Sequence, residues 1–196
     1  MDLIFQVWGG VFYLTSKVLF AFSEGQQAKP KKSLKIKGWL IYILGVPAWV
    51  TILMGHQNWM AASIEIGGVP SMILGLYNTY HDNNKQHKWL NTFVALCTYS
   101  SLAFGIIYSV IHNSGITSIS QVLEIGVTVG FLLGSYSIAK NKPVGWLFFM
   151  LMNLSMAALM LLQNKPILMV QQLISLCFVI YGFNKSRNLS CPKLTS

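Results

Sequence analysis

The sequence predicts an all-α integral membrane protein of seven transmembrane helices, built as two parallel three-helix repeats around a linker helix. Three observations predict it. Apolar residues make up 54% of the chain and charged residues 10%, with a mean hydropathy of +0.53; a soluble domain carries about 25% charge, so the surplus apolar surface needs a solvent other than water. The apolar residues fall into seven runs, each near the roughly 20 residues that span a bilayer as a helix. Finally, residues 38–75 and 145–182 repeat one design at a constant offset of 107 residues. Each copy opens on Gly-Trp (Gly38-Trp39, Gly145-Trp146) and crosses a polar break (Gly55-His56-Gln57-Asn58, Gln163-Asn164-Lys165-Pro166). Each then reaches a glycine after the same interval (Gly75, Gly182). A transmembrane barrel would instead show weak alternating segments of about ten residues.

The first run, 3–22, is read as a helix and not as a cleaved signal peptide: Met1-Asp2 is no basic leader, and no Ala-x-Ala stands before Gln27. Residues 23–37 are basic and read as a solvated loop. The second run, 38–54, contains Gly45 and Pro47; the third, 59–79, contains Gly67-Gly68 and Pro70. Proline is tolerated in membrane helices where neighbours re-satisfy the freed carbonyls, so these are candidate bends and hinges. The fourth run, 89–111, is the linker. The fifth, 118–138, carries Glu124, Gly126, Thr128, Gly130, Gly134, Ser135 and Ser137; small and polar residues line helix interfaces in lipid, so it reads as tightly packed. The sixth and seventh are 144–162 and 166–183. The resulting units are 1–79 and 118–183 as the repeats, 80–117 as the linker helix with its loops, and 184–196 as a tail. Three helices are an odd number, so tandem copies would face opposite ways. The single linker restores the orientation, and the repeat axis then lies along the membrane normal.

Charge sets the orientation. The net charge is +9, but the cations lie between the runs and not on one basic face, which argues against a nucleic-acid partner. Segments 23–37, 80–88, 139–143 and the tail hold twelve Lys and Arg; the other side holds Lys165 alone, and Lys17 lies within the first run. This asymmetry places the N-terminus outside and the C-terminus in the cytoplasm. The lysines also serve as anchors for anionic lipid.

Enzyme chemistry finds little support. No HExxH, GxSxG, CxxC or phosphate loop is present, and His56, His81, His87 and His112 fall in loops or at helix ends. Cys97, Cys177 and Cys191 lack metal or redox spacing and read as small apolar filler. No catalytic residue, cofactor or metal is therefore expected. Intramembrane carboxylates are costly and point to function. Glu65 is one, and its counterpart at the repeat offset is Gln172; together they suggest the lining of a shared cavity. Glu124, near the start of its run, also reads as a charge favoured by the helix dipole. Trp146, Phe149 and Asn153 stand at i, i+3 and i+7 and share a helix face. Two aromatics with an amide one turn deeper can stack a flat ring and bind its polar edge. The other repeat places Trp39, Tyr42 and Val46 there, so the halves would hold different parts of an asymmetric ligand. For Trp39 and Trp146 an interfacial aromatic belt is the alternative, and for Asn153 a helix–helix hydrogen bond. Gln57, Asn58, Gln163 and Asn164 read as turn residues or an outer rim, and Tyr77 and Tyr181 as interfacial anchors, with Tyr181 also placed to cap the cavity.

The layout resembles the PnuC family of bacterial vitamin-precursor transporters, which includes nicotinamide riboside carriers and shares a three-one-three plan with SWEET and SemiSWEET proteins. Residues 124–183 carry the resemblance: Glu124, Gly126 and Gly130, then Trp146-x-x-Phe149-x-x-x-Asn153, then Gln163, Gln172 and Tyr181-Gly182. Nicotinamide riboside carriers show Trp-x-x-Trp-x-x-x-Asn, so Phe149 stands where they have a second tryptophan. The resemblance implies an inner-membrane carrier working by alternating access and facilitated diffusion, with trapping by a cytoplasmic kinase and no coupling ion. The implied substrate-binding set is Trp39, Tyr42, Glu65, Trp146, Phe149, Asn153, Gln172 and Tyr181. Nicotinamide riboside is the leading substrate. Thiamine, riboflavin or a deoxynucleoside, a SWEET-type sugar, or a non-transporting membrane scaffold are the alternatives. The partners implied are a small solute and the lipid bilayer, and a homo-oligomer is compatible with the plan.

Overall fold

A computed structural model describes residues 2–55, 59–81, 88–112, 115, 118–164 and 166–190. Among these are seven α-helices and no strand: α1 (Asp2–Ser23), α2 (Ala28–Gly55), α3 (Trp59–Tyr80), α4 (Lys88–His112), α5 (Ile119–Ala139), α6 (Val144–Leu162) and α7 (Pro166–Ser190). The expectations about Gln57, Asn58, His56, His87, Lys85, Lys165, Lys193 and Cys191 fall outside the described residues.

Four helices contain stretches long and apolar enough to cross a membrane: Lys88–Ile111, Ile119–Ala139, Val144–Leu162 and Leu168–Arg187. A shorter apolar stretch, Val7–Ser23, lies in α1. Large apolar side chains cover the outside, among them Trp89, Leu96, Ile107 and Ile119. So much exposed apolar surface suits hydrocarbon and not water.

One expectation about the first half is corrected. Residues 28–37 are not a loop; they are the opening turns of α2. Pro30 sits in the first turn, where a helix has no use for its missing N–H, and the surrounding lysines are good helix formers. The backbone N–H of Lys31 bonds back to the Gln27 carbonyl at 2.9 Å. The second and last apolar runs, 38–54 and 166–183, are each part of a longer helix, of 28 and 25 residues, with one polar end.

Helix neighbours trace a closed circuit. α1 packs on α2, α2 on α3, α3 on α5, α5 on α6, α6 on α7, and α7 on α1. α4 stands outside this circuit, across α3 and α5. The core inside is aromatic-rich, with Phe20, Trp39, Tyr42, Phe131, Trp146 and Phe149 all buried. α5 is as closely packed as its small residues predict: a Cβ at Gly130 would meet the Met152 N and Phe148 O atoms at 2.6 Å each. Two of its buried hydroxyls are satisfied within the helix. Thr128 donates to the Glu124 carbonyl at 2.8 Å and Ser135 to the Phe131 carbonyl at 2.6 Å, which lets polar residues sit in an apolar surround at little cost. Glu124 lies in the second turn, five residues beyond Ile119. The helix dipole acts over the first turn, so that reading of Glu124 weakens, and the cap is Ser118, which accepts from the Gln121 N–H.

Candidate functional site

Two polar features occupy the bundle, one in its middle and one at an end. The middle is built around α1 and α6. Tyr13 and Lys17 are four residues apart on α1 and so face the same way; Phe149 and Asn153 are so placed on α6. Asn153 stands at the midpoint of α6 and is fully buried. Its Oδ1 accepts from the Lys17 Nζ at 3.3 Å, and its Nδ2 donates to the Phe149 carbonyl at 2.6 Å. The Lys17 ammonium lies 5.6 Å from the centre of the Phe149 ring, within the range at which a cation is drawn to an aromatic face. From the other side, the Tyr13 hydroxyl donates a short hydrogen bond to Glu65 of α3. The Tyr13 ring meets the Tyr42 ring edge-on at 4.9 Å. Tyr42 also touches Phe131 of α5 edge-on at 6.3 Å. Its buried hydroxyl has no hydrogen-bond partner.

The structure therefore brings together four of the eight residues picked from sequence: Tyr42, Glu65, Phe149 and Asn153. Trp39 and Trp146 flank them. Both are 1% exposed, which rules out a lipid-facing belt. Trp39 stacks near Tyr42 at 6.3 Å, and Trp146 meets Phe149 edge-on at 6.5 Å. Gln172 is half-buried, and its Oε1 is enclosed without a hydrogen-bond partner; no described contact joins it to Glu65. Tyr181 is placed elsewhere: it is 41% exposed and lies 5.8 Å from the Phe22 ring, on the outer face of α7. It caps nothing, because the turn of α7 that carries it directs it outward beside α1.

Sequence reasoning missed Lys17 and Tyr13. A signal for Lys17 existed. It is a lysine inside an apolar run, and such a residue is expected to pair inside the bundle. Tyr13 carries no comparable signal, since a tyrosine in an apolar run is unremarkable until its neighbour on α3 is known.

The second feature lies where α1, α3, α5 and α7 end and α2 and α6 begin. A cavity of about 410 Å³ opens there, walled by Glu24, Lys31, Lys32, Lys35, Asn141, Lys142 and, at its inner side, Trp146. Glu24 accepts from Lys31 at 2.9 Å and Lys35 at 3.0 Å. Lys35, 7% exposed, also donates to the Asn141 Oδ1 at 2.9 Å. Asn141 holds that position from the α5–α6 turn with φ of 53°, a left-handed conformation that asparagine tolerates. Burial pushes the Glu24 carboxyl up, but Lys35 and then Lys31 outweigh it and hold the group below the ordinary carboxylate range. Burial lowers the Lys35 ammonium by more than Glu24 raises it.

Apolar-surfaced helices, several of them long enough to cross a bilayer, are the build of a multi-pass membrane protein, and this one encloses charged and amide groups in its middle. The nicotinamide mononucleotide transporter family model matches residues 32–188, and the chain belongs to that family, the PnuC family of transporters, which is not an enzyme family. No curated protein and no solved structure matches the chain significantly.

Proposed function

We propose that this chain carries a small vitamin-like or nucleoside-like solute, nicotinamide riboside foremost, across the bacterial inner membrane by facilitated diffusion with alternating access. The observation that carries the reading is the enclosed cluster of Lys17, Asn153, Phe149, Tyr13 and Glu65 inside a chain of a transporter family. Ionisable groups buried within membrane spans are costly and point by default to function, solute paths among them. Trp39, Tyr42, Trp146 and Phe149 would sandwich the solute's ring. Asn153, Glu65 and the unpartnered Tyr42 hydroxyl and Gln172 amide oxygen would replace water on its polar edge.

The closed circuit of helices supports the two-repeat arrangement, with 1–79 and 118–183 as its halves. The α3–α5 and α7–α1 contacts are equivalents under a two-fold axis that exchanges the halves. Gly38 lies against Phe20 and Gly145 against Ile138. Matching these pairs relates α1 to α5 at an offset of 118, which puts Ser135 opposite Lys17. In this reading α2 and α3 also span, and the lysine-walled cavity opens to the cytoplasm by the excess of cations there.

The test is a thermal-shift screen of the purified chain with nicotinamide riboside, thiamine, riboflavin and nucleosides, followed by uptake into proteoliposomes. A solute at a hundred times its Kd stabilises by about 2.7 kcal/mol, so a true ligand is readily seen. Absence of stabilisation and of saturable uptake for every compound overturns the proposal and favours a membrane scaffold. Uptake of sugars alone favours the SWEET-type alternative.

A further inference from the structure

Four buried hydroxyls in this bundle turn back on their own helices. Ser16, Ser23, Thr128 and Ser135 each donate to a carbonyl three or four residues earlier, at 2.6–2.8 Å, which is how a helix carries a hydroxyl in an apolar surround. Ser175 of α7 is 4% exposed and does not do this: its Oγ has no hydrogen-bond partner. Three residues earlier, on the same face of α7, the Gln172 Oε1 is enclosed and equally without a partner. An enclosed polar group without a partner destabilises the empty protein.

Packing places Ser175 beside the central cluster. α6 and α7 are neighbours joined by a short connection and run antiparallel. The Trp146 ring lies against Gly182. Seven residues on along α6 is Asn153, and seven back along α7 is Ser175. Seven residues are two turns to within about 20°, so both stay on the facing sides, about 10.5 Å from the Trp146–Gly182 contact. Ser175 is therefore level with Asn153, and Gln172 lies one turn beyond. The first half has no equivalent. Gly68 stands at the repeat offset from Ser175, with the Phe131 ring packed where a side chain would be. Glu65, the counterpart of Gln172, is already bonded to Tyr13.

We propose that the Ser175 hydroxyl and the Gln172 amide oxygen bind neighbouring hydroxyls of the solute, so that α7 takes a sugar-like portion while Trp146, Phe149 and Asn153 of α6 take the ring. The proposal rests on the carrier reading above and narrows its solute to a ring that bears vicinal hydroxyls. An amide oxygen only accepts, whereas a serine hydroxyl both donates and accepts. Two adjacent hydroxyls supply the donor that Gln172 lacks and a partner of either kind for Ser175. Neither protein group is charged, which suits neutral hydroxyls. The ring edge is met by Asn153, which shares its helix face with the aromatics, so the α7 pair is left for the rest of the solute. A site built to bond a hydroxyl rejects an analogue without it, because its own groups are then left enclosed and unpaired.

The experiment uses the full chain in nanodiscs and has two arms. Without solute, Ser175→Ala should unfold at a temperature no lower than the parent chain, since the change deletes a group that has no partner. A clear drop means that the hydroxyl is already paired in the empty protein and overturns the proposal, whichever solute is carried. With solute, nicotinamide riboside is titrated beside its 2′-deoxy and 3′-deoxy analogues. The parent chain should bind the full riboside at least about tenfold more tightly than one of the analogues. In Ser175→Ala the riboside affinity should fall about tenfold, the loss of one hydrogen bond, and that preference should shrink to about twofold. An equal loss for all three compounds means general disruption of the site and overturns the proposal. If a different nucleoside binds in place of nicotinamide riboside, its own deoxy analogues give the same comparison. Binding of thiamine alone, which has no vicinal hydroxyls, overturns this proposal and leaves the carrier reading intact. Binding of no solute at all removes the carrier reading, and this proposal with it.

Discussion

In the first half of the chain the Trp39 ring lies against Gly75, and in the second the Trp146 ring lies against Gly182; both pairs sit at the same sequence interval. One turn on, the halves diverge. Tyr42 and Val46 follow Trp39, whereas Phe149 and Asn153 follow Trp146. The crossing of the first two helices in each half is also solved differently. Gly45 of α2 admits Phe12 and Tyr13 of α1, while in the second half the glycine is on the other partner, Gly130 of α5, and admits Met152 of α6. The shared Trp–Gly contacts are steric and fix how α2 meets α3 and α6 meets α7. Beyond the relocated glycine, the divergence is polar and lies in the interior: Lys17, Glu65 and Asn153. Under the proposed two-repeat arrangement, the Trp–Gly packing is kept and the inner face is asymmetric, as a site for an asymmetric solute would be.

The sharpest way to break this asymmetry is Asn153→Val, which gives the second half the residue the first half has at Val46. The change removes the acceptor of the Lys17 ammonium and the amide proposed to meet the solute. Leaving a buried charged donor unpaired costs more than the bond itself contributes. Uptake should fall at least about a hundredfold, near 2.7 kcal/mol, with the protein still folded. Uptake within twofold of the parent chain would remove Asn153 from the site.

The shared packing is probed by Gly75→Ala and Gly182→Ala. An added Cβ would come within 2.2 Å of the Trp39 ring and 2.6 Å of the Trp146 ring. Overpacking of this kind costs about 1–3 kcal/mol, and the tighter Gly75 contact should cost more. Equilibrium unfolding in mixed detergent measures both. If neither variant is destabilised, the tryptophans can move and the two contacts are not structural locks.

Much of this was legible in the sequence, for identifiable reasons. Helices announce themselves by apolar runs, and the Gly-Trp and terminal glycine positions do so by spacing, because a close contact allows only glycine. Trp146, Phe149 and Asn153 could be placed together since they share one helix face, which is local geometry. The link between Tyr13 and Glu65 could not be read, since it joins residues 52 apart whose meeting depends on how α1 and α3 pack. Segment 23–37 reads as a loop in the sequence because lysines in a run suggest water. In the structure its residues from 28 onward open α2, and Lys31 and Lys35 pack on Glu24. Tyr181 reads as an anchor that could also cap the cavity, but neighbouring residues on a helix point about 100° apart; Gly182 faces Trp146, and Tyr181 lies 41% exposed.

Lys17 sharpens the comparison further, because the proposed equivalent in the second half, Ser135, carries no charge. In the described state Lys17 occupies the Asn153 oxygen and the Phe149 face, both of which the solute is proposed to use. Lys17→Met keeps the length and removes the ammonium. It should strengthen solute binding severalfold if the ammonium competes with the solute. A severalfold loss would instead make Lys17 a direct ligand, and an unchanged affinity would place it outside the site altogether.

The smallest expected effect distinguishes the two connections that precede α2 and α6. The first supplies Glu24 and the second supplies Asn141, and both hold Lys35. Because Asn141 remains and a glutamine oxygen can still accept from Lys35, Glu24→Gln does not strand that buried ammonium, and the loss in stability should be about 1 kcal/mol, the difference between a charged and a neutral acceptor. Its pH dependence identifies the carboxylate. The folded-state pKa of Glu24 is lowered, so its stabilisation is complete above the ordinary glutamate value of about 4.3 and is lost as the pH falls through the lowered value. Unfolding of the parent chain and Glu24→Gln should therefore differ at pH 7 and converge in acid below that range. A difference that persists unchanged in acid would mean that Glu24 contributes by packing and not by charge.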